Sequence, residues 1–187
     1  MRMYLGYLLT IVVGALAGAA FAVHTVHAGA LGSNVQIGPW ATGRDFGTAD
    51  ASARTRAVVA LRGLLALPAR EARYYTAATD DAGQPLDGRC RYSVAGGKLP
   101  GRWWSLTLYD RDGYLVRNGA GIFSVESASV GEERWRIAVA PAPQPGHWLP
   151  TGRLQRVELT LRTYLPPNAG RGDPPRAGLP SITKEGC

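Results

Sequence analysis

RWWSLTLYDRDGYLVRNG, residues 102–119, is the stretch that decides the architecture. Trp104, Leu106 and Leu108 alternate with Trp103, Ser105, Thr107 and Tyr109, the period of two that sends one set of side chains into a core and the other to the opposite face. A β-strand is predicted. Asp110-Arg111-Asp112-Gly113 follows, and because Gly113 can take the positive φ of a tight turn, Tyr114-Leu115-Val116 is expected as the returning strand of a hairpin, ended by Asn118-Gly119.

Similar runs lie on both sides. Residues 71–78 lead into Asp80-Asp81-Ala82-Gly83, and residues 89–94, with Cys90, Tyr92 and Val94 on one face, lead into Gly96-Gly97. Residues 122–125, residues 134–139 with Trp135, Ile137 and Val139 alternating, and residues 157–165 with Val157, Leu159 and Leu161 alternating complete seven or eight strands. The Pro-rich stretch 141–150 crosses between strands, its His147-Trp148-Leu149-Pro150 plugging one end. Upstream, Asp50 is the expected cap of a helix of about four turns, ended by Pro68, whose face carries Ala57, Val58, Leu61, Leu64 and Leu65 with Arg54, Arg56 and Arg62 outside it. With no second helix intervening, parallel βαβ units are excluded. The fold class is mainly β: an antiparallel β-sandwich, jelly-roll-like, with one amphipathic helix lying on it.

Residues 4–23 carry no charge and are long enough to cross a bilayer, with Arg2 the only charge before them. The expected organisation is an N-terminal transmembrane anchor at 1–27, a linker at 28–47 docking through Trp40, and the β domain at 48–187. Arg2 predicts a single-pass inner-membrane protein with its N-terminus cytoplasmic and the domain in the periplasm. The competing reading is a signal peptide, since Val26-His27-Ala28 has the small residues a signal peptidase accepts, with cleavage after Ala28. The uncharged run exceeds a usual signal-peptide core, which favours the anchor.

The formal net charge is +7, from 21 Lys+Arg and 14 Asp+Glu, but the arginines are scattered without a basic run, so no nucleic-acid partner is expected. No Gly-rich loop opens a helix, and no cofactor is expected. His24 and His27 sit at the membrane edge and His147 stands alone, so no metal site is expected. Ser105 lies in a strand without the glycines of a nucleophile elbow. Cys90 and Cys187 are too few for a metal cage and too far apart for a CxxC motif. An oxidising periplasm predicts that they pair, tying down the aperiodic tail at 166–186.

Several motifs in order carry a resemblance: Gly38-Pro39-Trp40 before an Arg-bearing helix, Glu71-x-x-Tyr74-Tyr75 entering Asp80-x-x-Gly83-x-x-Leu86, Leu99-Pro100-x-x-Trp103-Trp104-Ser105-Leu106-Thr107-x-Tyr109-Asp110, Trp148-Leu149-Pro150, Leu161-Arg162-x-Tyr164-x-Pro166, and Leu179-Pro180-x-Ile182. Together they are similar to the bacterial domain-of-unknown-function family numbered 1214, in its short membrane-anchored form without the companion domain numbered 1254. The resemblance spans roughly 38–187 and implies an antiparallel β-sandwich with no settled activity.

Two function classes follow. The first is non-catalytic: binding of an envelope component, a glycan or lipid ligand or an envelope protein, or scaffolding of an envelope complex. Its candidate surface is Tyr75, Trp103, Tyr109, Arg162 and Tyr164, with aromatic rings for stacking and arginine for an anion; core or rim packing of the same rings is the competing reading. The second is a periplasmic enzyme acting on glycans or related envelope substrates through a carboxylate/Tyr site, with Glu71, Arg73 and Asp80 as the candidate polar pocket. Glu71, Asp80, Asp81, Asp87, Asp110 and Asp112 are the carboxylates available, most of them in turns, and no catalytic residue is assigned. Glu71 with Arg162 is a further expected structural pair.

Overall fold

The computed structural model describes residues 2–28, 35–43, 45–61, 66–131, 133–167, 172 and 175–187. The charge-free run forms one helix, α1 (Arg2–Ala28), whose segment Gly6–Thr25 is long and apolar enough to cross a membrane. There follow β1 (Val35–Ile37), β2 (Trp40–Thr42), α2 (Ala53–Leu61), β3 (Ala72–Ala77), β4 (Arg91–Gly97), β5 (Trp103–Asp110), β6 (Ser124–Glu126), the one-turn α3 (Ser127–Val130), β7 (Arg134–Ala140), β8 (His147–Pro150), β9 (Val157–Tyr164) and β10 (Ser181–Gly186). They make a six-stranded sheet, β1-β2-β3-β9-β5-β6, and a four-stranded sheet, β10-β4-β7-β8.

The two sheets share one core. Trp104, Leu106 and Leu108 of β5, Leu159 and Leu161 of β9, and Tyr75 of β3 meet Tyr92 and Val94 of β4, Trp135, Ile137 and Val139 of β7, Leu149 of β8 and Ile182 of β10. The Trp104 and Trp135 rings lie 4.5 Å apart between centroids. Fully burying side chains of this size contributes about 1.5–3 kcal/mol each. The expected inward positions of β4, β5, β7 and β9 are therefore the observed ones.

Local details differ from the sequence reading. The expected return strand Tyr114-Leu115-Val116 is reduced to one bridge, Tyr109 to Leu115, because Val116 turns into the core and Asn118 bonds Val116 and Ile122 across a loop. The strand that pairs back on β5 is β6. Gly96-Gly97 is not a turn but the end of β4, where the Trp135 indole lies over the backbone: a Cβ on Gly96 would come within 2.6 Å of its ring, and its Nε1 donates to the Gly97 carbonyl at 2.8 Å. His147-Trp148-Leu149-Pro150 is no plug but a strand, parallel to β7, so the small sheet is mixed. As an edge strand it tolerates Pro150. Part of the expected linker, residues 35–42, is the β1–β2 hairpin of the large sheet, with Trp40 fully buried.

Two turns of the large sheet are built alike. Asp80 Oδ1 accepts from the Ala82 and Gln84 amides, and Asp110 Oδ1 accepts from the Asp112 and Tyr114 amides. In each, the glycine three residues on, Gly83 or Gly113, donates to the aspartate carbonyl and has a positive φ. Both aspartates are turn-holders.

Helix α2 covers part of the outer face of β3, burying Val58 against Phe46, Ala72 and Tyr74. Ser52, not Asp50, caps it: Ser52 Oγ accepts from the Thr55 amide at 3.0 Å. Asp45 supports the cap, its Oδ2 accepting from the Ser52 amide at 3.2 Å and the Thr55 hydroxyl at 2.8 Å. The expected face positions Leu64 and Leu65, with Arg62, lie outside the described residues.

The chain end is a full strand. β10 pairs with β4, and Cys187 is joined to Cys90 by a disulfide spanning 97 residues. Asp81 extends this edge: its backbone donates to the Ile182 carbonyl and its Oδ2 accepts from the Ile182 amide at 2.7 Å.

Two expectations follow. Burial raises the Asp45 pKa, but the hydrogen bonds from Thr55 and Ser52 outweigh it and leave it below its ordinary 3.8. A carboxylate depressed on folding stabilises fully above the unfolded pKa and loses that contribution as pH falls through the folded one. Amide exchange of α2 should therefore accelerate as pH drops below about 4, after correction for intrinsic rates, whereas Asp45→Asn should loosen α2 by about 1 kcal/mol at neutral pH and show no further acid step. Cys90→Ser should lower stability by a few kcal/mol, up to about 4.7 for a loop of this size, read as a shift in urea midpoint that reductant reproduces in the unmutated chain.

Candidate functional site on the outer face of the large sheet

The side chains of β5 that turn away from the core stand opposite those of β9: Trp103 with Tyr164, Ser105 with Arg162, Thr107 with Thr160, Tyr109 with Glu158. Strand β9 pairs likewise with β3, Tyr164 with Ala72, Arg162 with Tyr74, Thr160 with Thr76. The face thus consists of rungs. Trp103 and Tyr164 form an aromatic rung, ring centroids 5.0 Å apart. Next comes a rung of Tyr74, Arg162, Ser105 and Glu126, and then a hydroxyl rung of Thr76, Thr160, Thr107 and Ser124. The three threonines of that rung are buried.

Arg162 is the chemical centre of this face. Its Nη1 donates to Thr107 Oγ1 at 3.1 Å and its Nη2 to the Tyr109 hydroxyl at 2.7 Å, with the guanidinium 5.5 Å from the Tyr109 ring centroid. Both acceptors are neutral. Among the described residues the half-buried guanidinium makes no ion pair, so its orientation is held while its charge is left without a carboxylate. Next to it, burial raises the pKa of Tyr74, partly countered by the Leu67 amide donating to its hydroxyl and by the Arg162 charge.

Four of the five nominated surface residues, Trp103, Tyr109, Arg162 and Tyr164, come together here. Tyr75 does not. It points into the shared core, 2% exposed, because the register of β3 on β9 sets it opposite Leu161. Arg73 is on that inner side too, its guanidinium 5.9 Å from the Tyr75 ring centroid. The candidate pocket of Glu71, Arg73 and Asp80 is not assembled: Glu71 precedes β3 and Asp80 follows its end, about 30 Å apart along the strand. Nor does Glu71 meet Arg162, since its Oε1 pairs with Arg70 at 3.2 Å.

The other nominated carboxylates sit in turns or in pairs with neighbouring groups. Asp80 and Asp110 organise their turns, Asp81 binds Arg176 and the Ile182 amide, and Asp112 lies 3.5 Å from Arg111. Asp87 accepts from the Arg89 side chain and amide, which lower its pKa to about 2, the opposite of what a general acid needs. Among the described residues no three His, Cys, Asp or Glu side chains gather into a cation site.

Sequence reasoning did not nominate Thr107, Thr160, Thr76 or Ser124. Alternation puts each on an outward position, but their union into one rung depends on the strand order β3-β9-β5-β6, which no local pattern encodes. Beside the aromatic rung, Gly101 packs against the Tyr164 backbone and opens a largely apolar groove of about 670 Å³ lined by Lys98, Leu99, Pro100, Gly101, Leu165, Pro167, Pro175 and Gly178.

A family model described as a protein of unknown function, DUF1214, matches residues 71–168. No curated protein matches the chain. Among solved structures, the crystal structure of the VPA0106 protein from Vibrio parahaemolyticus is similar over 92% of this chain and 43% of that one, at 20% identity and a TM-score of 0.59. An uncharacterised protein from Burkholderia cenocepacia covers 63% of this chain and 29% of its own, at 18% identity and a TM-score of 0.41. This chain spans under half the length of either, and the first likeness is one of fold alone. The family match runs from the start of β3 beyond the end of β9 and includes Tyr74, Trp103, Thr107, Tyr109, Arg162 and Tyr164. Covering more than half of the sequence, it shows that the chain belongs to the DUF1214 family.

Proposed function

We propose that the β domain is a non-catalytic binding module of the bacterial envelope, tethered by α1 to the inner membrane with its N-terminus cytoplasmic, and that the outer face of the large sheet holds an anionic envelope component. One observation carries the reading: Arg162 is oriented by two neutral hydroxyls and has no carboxylate partner among the described residues. A guanidinium held in this way presents further N–H donors to a carboxylate or phosphate. The Trp103–Tyr164 pair beside it supplies ring surface for a sugar or an acyl chain, and the adjoining groove extends that apolar surface. The disulfide supports export, because such bonds persist in oxidising compartments.

Native mass spectrometry of the detergent-solubilised full chain tests this. The unmutated protein should carry a co-purifying anionic component that Arg162→Gln loses, with the urea midpoint shifted by no more than about 1.5 kcal/mol in stability. An Arg162→Gln variant that keeps the same component, or unmutated protein that carries none, refutes the reading.

A further inference from the structure

The exposed side of α2 has a pattern that packing on the sheet does not use. Thr55 and Val58 are buried against the domain. At about 3.6 residues per turn, Ala53, Ala57 and Ala60 fall on the opposite arc, bordered on one side by Arg54 and on the other by Arg56. Ala53, Ala60 and both arginines are exposed, and Ala57 is half-buried. The helix is thus small and apolar on its outward arc, with a long cationic side chain on either flank, the arrangement in which arginines extend sideways to phosphates while the arc between them rests on the headgroup layer.

α2 also touches the end of α1. Arg54 Nη2 donates to the Thr25 carbonyl at 3.2 Å, and Thr25 is half-buried where the other described side chains of α1 are exposed. Thr25 is also the last residue of the membrane-length segment. Twenty residues of helix span about 30 Å, the thickness of the hydrocarbon core, so an inserted α1 leaves Thr25, and Arg54 bonded to it, at the level of the headgroups. Among the described residues Arg54 and Arg56 form no ion pair, Asp45 is turned into the cap, Glu71 is paired with Arg70, and Asp50 is exposed.

We infer that α2 is a membrane-surface foot: Arg54 and Arg56 contact the phosphates of anionic phospholipids and hold the outer face of the large sheet against the bilayer from which α1 emerges. The inference rests on α1 being retained as the anchor, as proposed above, but not on what Arg162 binds. Helix α2 sits on the same side of the large sheet as Trp103, Tyr109 and Arg162, with Tyr164 packed against the α2 cluster. A component held at Arg162 is therefore reached from the membrane side.

The test is amide hydrogen exchange on the full chain in nanodiscs of phosphatidylcholine alone or mixed with phosphatidylglycerol. Residues 53–61 should exchange several-fold more slowly in the anionic discs at low salt, and the difference should vanish at high salt and in the Arg54→Gln/Arg56→Gln double variant, whose β-strand exchange serves as the folding control. Equal exchange in the two lipids, or a lipid effect undiminished in the double variant, overturns the inference. So does protection that follows the number of chains per disc instead of the lipid, which assigns the face to a second copy. The Arg162→Gln chain should keep the lipid effect, so that loss of the bound component and loss of the foot are read separately.

Discussion

Trp104 of β5 meets Trp135 of β7 across the interior, and this contact between the two sheets decides what the rest of β5 can do. A strand has two faces, and once Trp104, Leu106 and Leu108 are inside, Trp103, Ser105, Thr107 and Tyr109 are outside. A slip of one residue would turn the Ser105 and Thr107 hydroxyls into the apolar core, take Thr107 away from Arg162 and turn Leu106 and Leu108 out of it, so the register is strongly specified. β9 pairs with β5 along its whole length, from Trp103 opposite Tyr164 to Asp110 opposite Val157, and so Arg162 inherits its place from Trp104. The indole of Trp135 secures the other sheet in the same way, covering Gly96 of β4 and bonding the Gly97 carbonyl.

A second set of contacts ties the chain ends to this frame. Trp40 Nε1 donates to the Pro180 carbonyl at 2.8 Å, Arg176 donates to the Leu179 and Pro180 carbonyls and pairs with Asp81, and Asp81 receives the Ile182 amide. Gly38, at a φ of +61°, lies so close to the Arg176 side chain that a Cβ there would come within 2.4 Å of it. Three motifs separated by up to 140 residues, Gly38-Pro39-Trp40, the Asp80-Asp81 turn and Leu179-Pro180-x-Ile182, thus meet at one node. The node and the disulfide involve none of the outer-face residues Trp103, Thr107, Tyr109, Arg162 and Tyr164.

The strands and their inward faces were legible because burial on one side imposes a period of two that survives in the residues: Cys90, Tyr92 and Val94, or Trp135, Ile137 and Val139, need only alternation to be placed. What local pattern could not convey was pairing. Tyr75 and Tyr164 look alike in sequence, each beside an arginine, yet the register of β3 on β9 puts Tyr75 in the core and Tyr164 outside. The bonds from Arg162 to Thr107 and Tyr109 cross 55 and 53 residues and exist only because β9 inserts between β3 and β5. Glycines misled in the same manner. Gly96-Gly97 has the composition of a turn, but its cause is a distant indole. At the helix, Asp50 and Ser52 are both good caps, and Asp45 favours Ser52 by bonding its amide.

β5 turns Trp104 into the shared core and Trp103 to the opposite face, and equilibrium urea denaturation of Trp104→Ala beside Trp103→Ala tests that assignment most directly. Trp104 is 5% exposed within the shared core, and its truncation should cost about 3–5 kcal/mol. Trp103 is half-buried against Tyr164 on the outer face, and its truncation should cost no more than about 1.5 kcal/mol. Equal losses, or a larger loss at Trp103, would contradict the assignment of the outer face as a binding surface.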